Sequence, residues 1–261
     1  MTEEWARFDA VGGAIRGFLV QPSSPPPWPA LIVLHPIAGV MAQMQDIVRG
    51  FAADGYLTLA PDLYTNDPGY QKIDVANIIA AHGSPNEPDW EERMMRIPEP
   101  RRTGVRAARE WMTNRPKAHY ADGVRGAFDY LEHRADVTKI GAIGYCMGGQ
   151  YVGQLATQGV DLAAGVIFYG ASPALADVGR IRGPLEGHYG VTDRKITAGV
   201  YDFALAMKAA GKYFAYTVYD ADHGFNDAPP ARGYNPYAAR MAHERTRAFL
   251  AEHLQHKLQE V

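Results

Sequence analysis

The chain predicts a single doubly wound α/β domain, 1–261, on a mostly parallel sheet with an antiparallel hairpin at its N-terminus. Three observations predict it. Short, wholly apolar runs such as Ala30 to Leu34 and Ile140 to Ile143 have the pattern of parallel strands covered on both faces. Helix-compatible stretches alternate with these runs, which implies right-handed crossovers and ligands at the carboxyl ends of the strands. At 261 residues, 47 % hydrophobic and 21 % charged, the chain has the size and composition of one globular core.

Each element has a local reason. Residues 5–20 alternate in polarity and turn at Gly12-Gly13, the signature of a hairpin. The proline-rich stretch 22–27 is a stiff connection. Ala30 to Leu34 is the first parallel strand, and His35-Pro36-Ile37-Ala38-Gly39 is the loop after it. A helix is expected over 46–54, stopped by Gly55, then a strand over 56–60 that ends at Pro61-Asp62-Leu63-Tyr64. Residues 66–116 are rich in Pro, Asn, Arg and Glu, with weak periodicity. They read as an irregular, lid-like insertion with helical pieces near 73–82 and 103–113. An amphipathic helix follows over 120–134. Strands are expected at 140–144, 164–169, 185–190 and 213–219, helices at 147–157 and 195–210, and a last helix over 236–257.

Bulk properties exclude several classes. A net charge of −3 leaves no electrostatic footprint for nucleic acid or an anionic membrane. No apolar run approaches the ~18 residues of a membrane span, and the N-terminus has no basic and apolar leader. The single cysteine excludes an internal disulfide and suits a reducing compartment. The expectation is a cytoplasmic protein with no nucleic-acid or membrane partner. No oligomeric state is read from the sequence. Cys-x2-Cys and His-x3-His spacings, a phosphate loop and a dinucleotide fingerprint are all missing, so no metal and no cofactor is expected.

The chemistry centres on Cys146, in Gly144-Tyr145-Cys146-Met147-Gly148-Gly149. A strand leads in and a helix leads out, the layout of a nucleophile elbow. The glycines suit a turn too tight for side chains on either side of the nucleophile. A thiol nucleophile needs a base, and the base an orienting acid. In chain order, Asp193 follows the strand 185–190 and His223 follows the strand 213–219, both at the same sheet edge as Cys146. Asp220 and Asp222 compete with Asp193 but read as solvated turn residues. His188, inside a strand, reads as structural, and His243, His253 and His256 as a solvated helix face. Backbone N–H groups of Ile37 and Met147 are placed to form an oxyanion hole.

These residues resemble the dienelactone hydrolase family, a cysteine-nucleophile branch of the α/β-hydrolases. The likeness runs through Val33-Leu34 to Gly39, Gly55 to Tyr64, the Cys146 elbow, Gly190 to Asp193, His223-Gly224-Phe225 and Tyr234 to Phe249. The resemblance implies an α/β-hydrolase fold and cofactor-free hydrolysis of small esters or lactones. It assigns Cys146, His223 and Asp193 to the triad, with small cyclic enol-lactones of chloroaromatic breakdown as the family's type substrates. Family members meet substrate carboxylates with arginine; Arg232 is the match, with Arg101 and Arg102 as further candidates. His35 and Tyr145 complete the expected substrate-binding set. One departure stands out. Pro36 replaces a glutamate that the family uses to help form the thiolate, leaving that task to His223, with His35 beside it. The departure keeps a second reading open, a non-catalytic ligand-binding or thiol-sensing protein on the same scaffold. A third reading is acyl transfer to an acceptor other than water, to be distinguished by product analysis.

Overall fold

Residues 1–82, 90–227 and 233–255 are described by the structure, a computed structural model. At one edge of the sheet, β1 (Thr2–Phe8) and β2 (Ile15–Gln21) form an antiparallel hairpin, with Thr2 opposite Gln21 and Phe8 opposite Ile15. β2 also pairs antiparallel with β4 (Leu57–Pro61), which in turn lies parallel to β3 (Trp28–Leu34). β5 (Val137–Tyr145), β6 (Ala164–Phe168), β7 (Leu185–Gly190) and β8 (Phe214–Tyr219) continue the parallel run. The eight strands lie in the order β1-β2-β4-β3-β5-β6-β7-β8. The predicted mostly parallel sheet and N-terminal hairpin are both present.

Strand β3 shows why both of its faces had to be apolar. Successive side chains point to opposite faces. Ala30, Ile32 and Leu34 join one core with Tyr120, Val124 and Phe128 of α5 (Lys117–Glu132) and Tyr151 and Leu155 of α6 (Met147–Ala156). Leu31 and Val33 join the other, with Met44, Val48 and Phe51 of α1 (Ala42–Ala53) and Ala238, Ala242 and Phe249 of α9 (Pro236–Leu250). All five β3 side chains are fully buried. The parallel strands therefore run under helices on both sides, and their carboxyl ends converge on one edge.

The insertion is more regular than its composition suggests. Its described part holds α2 (Val75–His82), α3 (Trp90–Arg96) and α4 (Glu99–Asn114). Two of these match the expected helical pieces, and α3 was not expected. In α4 the buried stripe is Val105, Ala108 and Trp111, spaced by three and surrounded by arginines that mask the period. Two of those arginines, with Arg93 of α3, serve as cross-links. Arg101 donates to the Ala76 carbonyl, Arg93 to the Ala80 carbonyl, and Arg109 lies 4.0 Å over the Trp90 ring. A buried carboxylate fixes the base of the insertion: Asp67 accepts from Trp111 Nε1 (2.9 Å), from the Tyr120 hydroxyl and from the Gly69 amide.

Smaller differences have local causes. The helix expected over 195–210 divides into α7 (Arg194–Thr197) and α8 (Val200–Ala209), interrupted at Ala198-Gly199. β6 stops at Phe168 because Tyr169 takes φ 40°. The last helix ends at Leu250 and continues as a π-helical turn over Ala251–Gln255. No helix among the described residues is long and apolar enough to cross a membrane.

Candidate active site

Cys146 sits at the tip of the β5–α6 turn with φ 55° and ψ −115°, a conformation that L side chains rarely adopt. The surrounding backbone leaves no alternative. A Cβ on Gly144 would lie 2.2 Å from the Gly148 carbonyl oxygen, and one on Gly148 would lie 2.2 Å from that of Leu34. Both glycines are required by close backbone approach. The Cys146 amide donates to the Phe168 carbonyl at 2.9 Å, which ties the tip to the neighbouring strand.

Asp193 and His223 approach from the ends of β7 and β8, beyond β6, and His223 reaches the sulfur. The loops after β7 and β8 are joined by Val191 N–H to Tyr219 O and Thr192 Oγ1 to Ala221 O, both 2.9 Å. His223 Nδ1 lies 2.6 Å from Asp193 Oδ2, and His223 Nε2 lies 3.0 Å from Cys146 Sγ. Asp193 is 1 % exposed. Asp222, one of its sequence rivals, instead accepts from the His223 amide.

The electrostatics favour a charged pair. Burial pushes the Cys146 thiol up, but the charge and hydrogen bond of His223, joined by those of His82, outweigh it and bring the pKa down to about 5. Burial pushes His223 down, but the thiolate charge and the hydrogen bonds to Asp193 and Cys146 raise it to about 10. Each group holds the other ionised.

Three residues near this centre carry no sequence motif. His82, at the C-terminal end of α2, places a ring nitrogen within 4.8 Å of both Cys146 Sγ and a His223 nitrogen, its ring centroid 5.9 Å from that of His223. Its signal was weak but present: a histidine ending the apolar run Val75 to Ala81, in a segment expected to lie over the reactive edge. Tyr169 packs against His223 with ring centroids 5.0 Å apart, and its hydroxyl faces Asp227 Oδ1 at 3.5 Å. Burial, with the nearby Cys146 charge, raises Asp227 to about 6.

The loop after β3 and the start of α6 share a clamp. The Tyr64 hydroxyl donates to the Ile37 carbonyl at 3.0 Å and touches Met147 Sδ at 3.6 Å. Met147 is the first residue of α6, where amide N–H groups have no partner within the helix and carry its positive end.

Several expected site residues have other places. His35 is fully buried. Leu63 N–H donates to its Nε2, so Nδ1 carries the proton and donates to the Pro36 carbonyl at 2.7 Å. Burial lowers its pKa, and the neutral ring holds the loop rather than facing a ligand. Tyr145 is also buried, its ring against Phe168, Tyr169 and His243. The elbow alternates sides, so the residue before Cys146 points into the core. Arg101 is occupied by Ala76 and Asn77, and Arg102 by Ile97 and Met95. Arg232 lies outside the described residues. His188 bridges the Tyr219 hydroxyl and Thr246 inside the core. His243, expected on a solvated face, packs on Phe51 and Phe168 and bonds Asn226, and burial lowers it to about 4. His253 packs on Phe249, and His256 lies outside the described residues.

Strand order, elbow and a thiol–imidazole–carboxylate line at the carboxyl edge have the layout of an α/β-hydrolase. The chain matches the model of the dienelactone hydrolase family over residues 15–254. It is 34 % identical, over 93 % of its length and 96 % of the relative's, to a Saccharolobus solfataricus protein provisionally named carboxymethylenebutenolidase. It is 26 % identical to the carboxymethylenebutenolidase of Pseudomonas putida, over 96 % and 97 % of the two chains. A crystal structure from Klebsiella pneumoniae, titled provisionally as a dienelactone hydrolase, superposes with a TM-score of 0.72 at 23 % identity, covering 96 % of this chain and 98 % of that one. The chain belongs to the dienelactone hydrolase family, and it is a hydrolase.

Proposed function

We propose that the chain hydrolyses small ester or lactone bonds through Cys146, with His223 as its base and acid and Asp193 as the group that orients His223. The observation that carries this reading is the unbroken line Asp193 Oδ2–His223–Cys146 Sγ, with links of 2.6 and 3.0 Å. The thiolate attacks the carbonyl carbon, and the carbonyl oxygen takes the negative charge. The backbone N–H groups of Ile37 and Met147 receive that oxyanion. Collapse of the adduct breaks the C–O bond, and the His223 imidazolium gives its proton to the departing alkoxide. In a lactone that oxygen stays tethered to the acyl group. Neutral His223 then takes a proton from water, the hydroxide attacks the thioester, and the thiolate leaves the free acid behind. The named activity of the P. putida relative, carboxymethylenebutenolidase, supports a lactone as one substrate.

His82 takes up part of the work that Pro36 leaves undone, since a second imidazole beside the sulfur favours the thiolate. The test is turnover of a small aryl acetate and of an enol-lactone. Cys146→Ala is expected to abolish turnover, and His223→Ala to reduce kcat by about 10²–10⁴-fold. Full activity in Cys146→Ala would remove the reading.

A further inference from the structure

We propose that Cys146, His223 and His82 together form a binding site for a thiophilic divalent cation, zinc, and that an ion held there silences the thiol. Among the described residues, these three bring one sulfur and two imidazole nitrogens within 4.8 Å of one another. The expectation that no metal site exists rested on local spacing. Here the donors come from positions 82, 146 and 223, on separate segments, where no spacing rule applies.

The geometry suits zinc. Bonds of about 2.3 Å to sulfur and about 2.0–2.1 Å to nitrogen set tetrahedral donors roughly 3.3–3.6 Å apart. Cys146 Sγ and His223 Nε2, at 3.0 Å, need a small side-chain rotation outward, and His82 already places a ring nitrogen within 4.8 Å of both. The donor set is a thiolate and two imidazoles, the mixed soft and borderline set that favours zinc over magnesium or calcium. Support beyond the donors is also built. Asp193 Oδ2 holds His223 Nδ1 at 2.6 Å, so Nε2 faces the ion in a carboxylate–histidine–metal line. None of the three donors is fully buried, which leaves an entry path. Zinc replaces the proton that the sulfur and His223 share, and that proton passes to the buffer.

Inhibition follows directly. The lone pair that attacks the carbonyl and the nitrogen that moves the proton are both bound to the ion. The insertion supplies the third donor, so the site exists only when α2 lies over the elbow.

The experiment reads metal and thiol rather than turnover, so a negative result leaves the hydrolase reading standing. The full chain is titrated with Zn²⁺ against a chromophoric chelator. Iodoacetamide alkylation of Cys146 is then timed without zinc, with zinc, and after EDTA. One equivalent is expected to bind, alkylation to slow at least tenfold, and EDTA to restore it. His82→Ala and His82→Gln are each expected to weaken binding by more than about tenfold, with circular dichroism checking that both are folded. Co²⁺ is expected to give a thiolate charge-transfer band in the wild type and none in Cys146→Ala. Equal zinc affinity in the wild type and Cys146→Ala would overturn the proposal. So would an unchanged alkylation rate in the zinc-loaded protein, or undiminished binding in both His82 variants.

Discussion

At Cys146 the balance lies between burial, which disfavours charge, and two imidazoles, which favour it. The imidazoles win, and the thiol is held down to about 5 while His223 is held up to about 10. Below the lower value the sulfur is protonated, and above it the sulfur is a thiolate. Iodoacetamide alkylation is therefore expected to rise through an inflection near pH 5, where an unperturbed thiol would inflect near about 8.5. His223→Ala is expected to move that inflection upward, and an unchanged inflection would show that the pair is not coupled. Asp193→Asn keeps the shape but loses the charge, and the ring can take the wrong tautomer. It is expected to lower kcat by about 10²–10⁴-fold, measured at constant pH. That Cys146, Asp193 and His223 share one edge was legible in sequence, because each follows a strand, and parallel strands deliver such residues to one edge. His82 was not legible in the same way. It arrives on an inserted helix whose placement depends on packing between α2 and α4, and short-range pattern does not encode that. His35 and Tyr145 misled for the opposite reason. They are adjacent to the site in sequence, yet the backbone turns their side chains into the interior.

The elbow and the β3 loop are separate elements held at a fixed distance by contacts that admit no extra atom. Gly148→Ala would drive a Cβ to 2.2 Å from the Leu34 carbonyl oxygen, so α6 would have to lift away from the sheet. A loss of more than about 3 kcal/mol is expected, read by urea unfolding; a wild-type midpoint would show that α6 can shift freely. Tyr64 is the adjustable part of the same joint, since its hydroxyl spans Ile37 and Met147. Tyr64→Phe keeps the ring and removes that span. Because the proposed oxyanion donors themselves remain, the loss is expected to be smaller than the 10²–10³-fold typical of a deleted oxyanion donor, about tenfold in kcat with KM little changed. A change confined to KM would place Tyr64 in substrate binding instead. At this scale the strands were the most legible elements, because their apolar runs are short and bounded. The insertion was the least legible, because the arginines that cross-link its helices also hide the stripe Val105, Ala108 and Trp111.

Across the whole molecule, one sheet carries two cores, and the insertion is attached to that body through Asp67. Burial pushes the Asp67 carboxyl up, but the donors Tyr120, Trp111, Tyr70 and Gly69 outweigh it and leave it below the ordinary carboxylate range. A depressed carboxyl stabilises the fold above its unfolded value, about 3.9, and that contribution is lost as pH falls through the folded value. Asp67→Ala strands the buried Tyr120 hydroxyl and Trp111 N–H, each at a cost of about 1–3 kcal/mol. It is expected to lower Tm and expose the insertion to proteolysis first, and in acid the gap from wild type is expected to narrow. A gap that does not change with pH would show that the charge of Asp67 is not what tethers the insertion. The global architecture was legible because alternation of strands and helices suffices to define a doubly wound sheet; the tether was not, since its partners are 44 and 53 positions away. The φ of 55° at position 146 has a consequence for the molecule as a body. Such a torsion costs on the order of 1–3 kcal/mol in a residue with a Cβ, and glycine escapes it. Cys146→Gly is therefore expected to melt at a higher temperature than Cys146→Ala, even after the extra freedom glycine gives the unfolded chain. The Cβ that carries the sulfur is what loads this bend: in the proposed reading, durability and reactivity meet there, and reactivity has been given precedence.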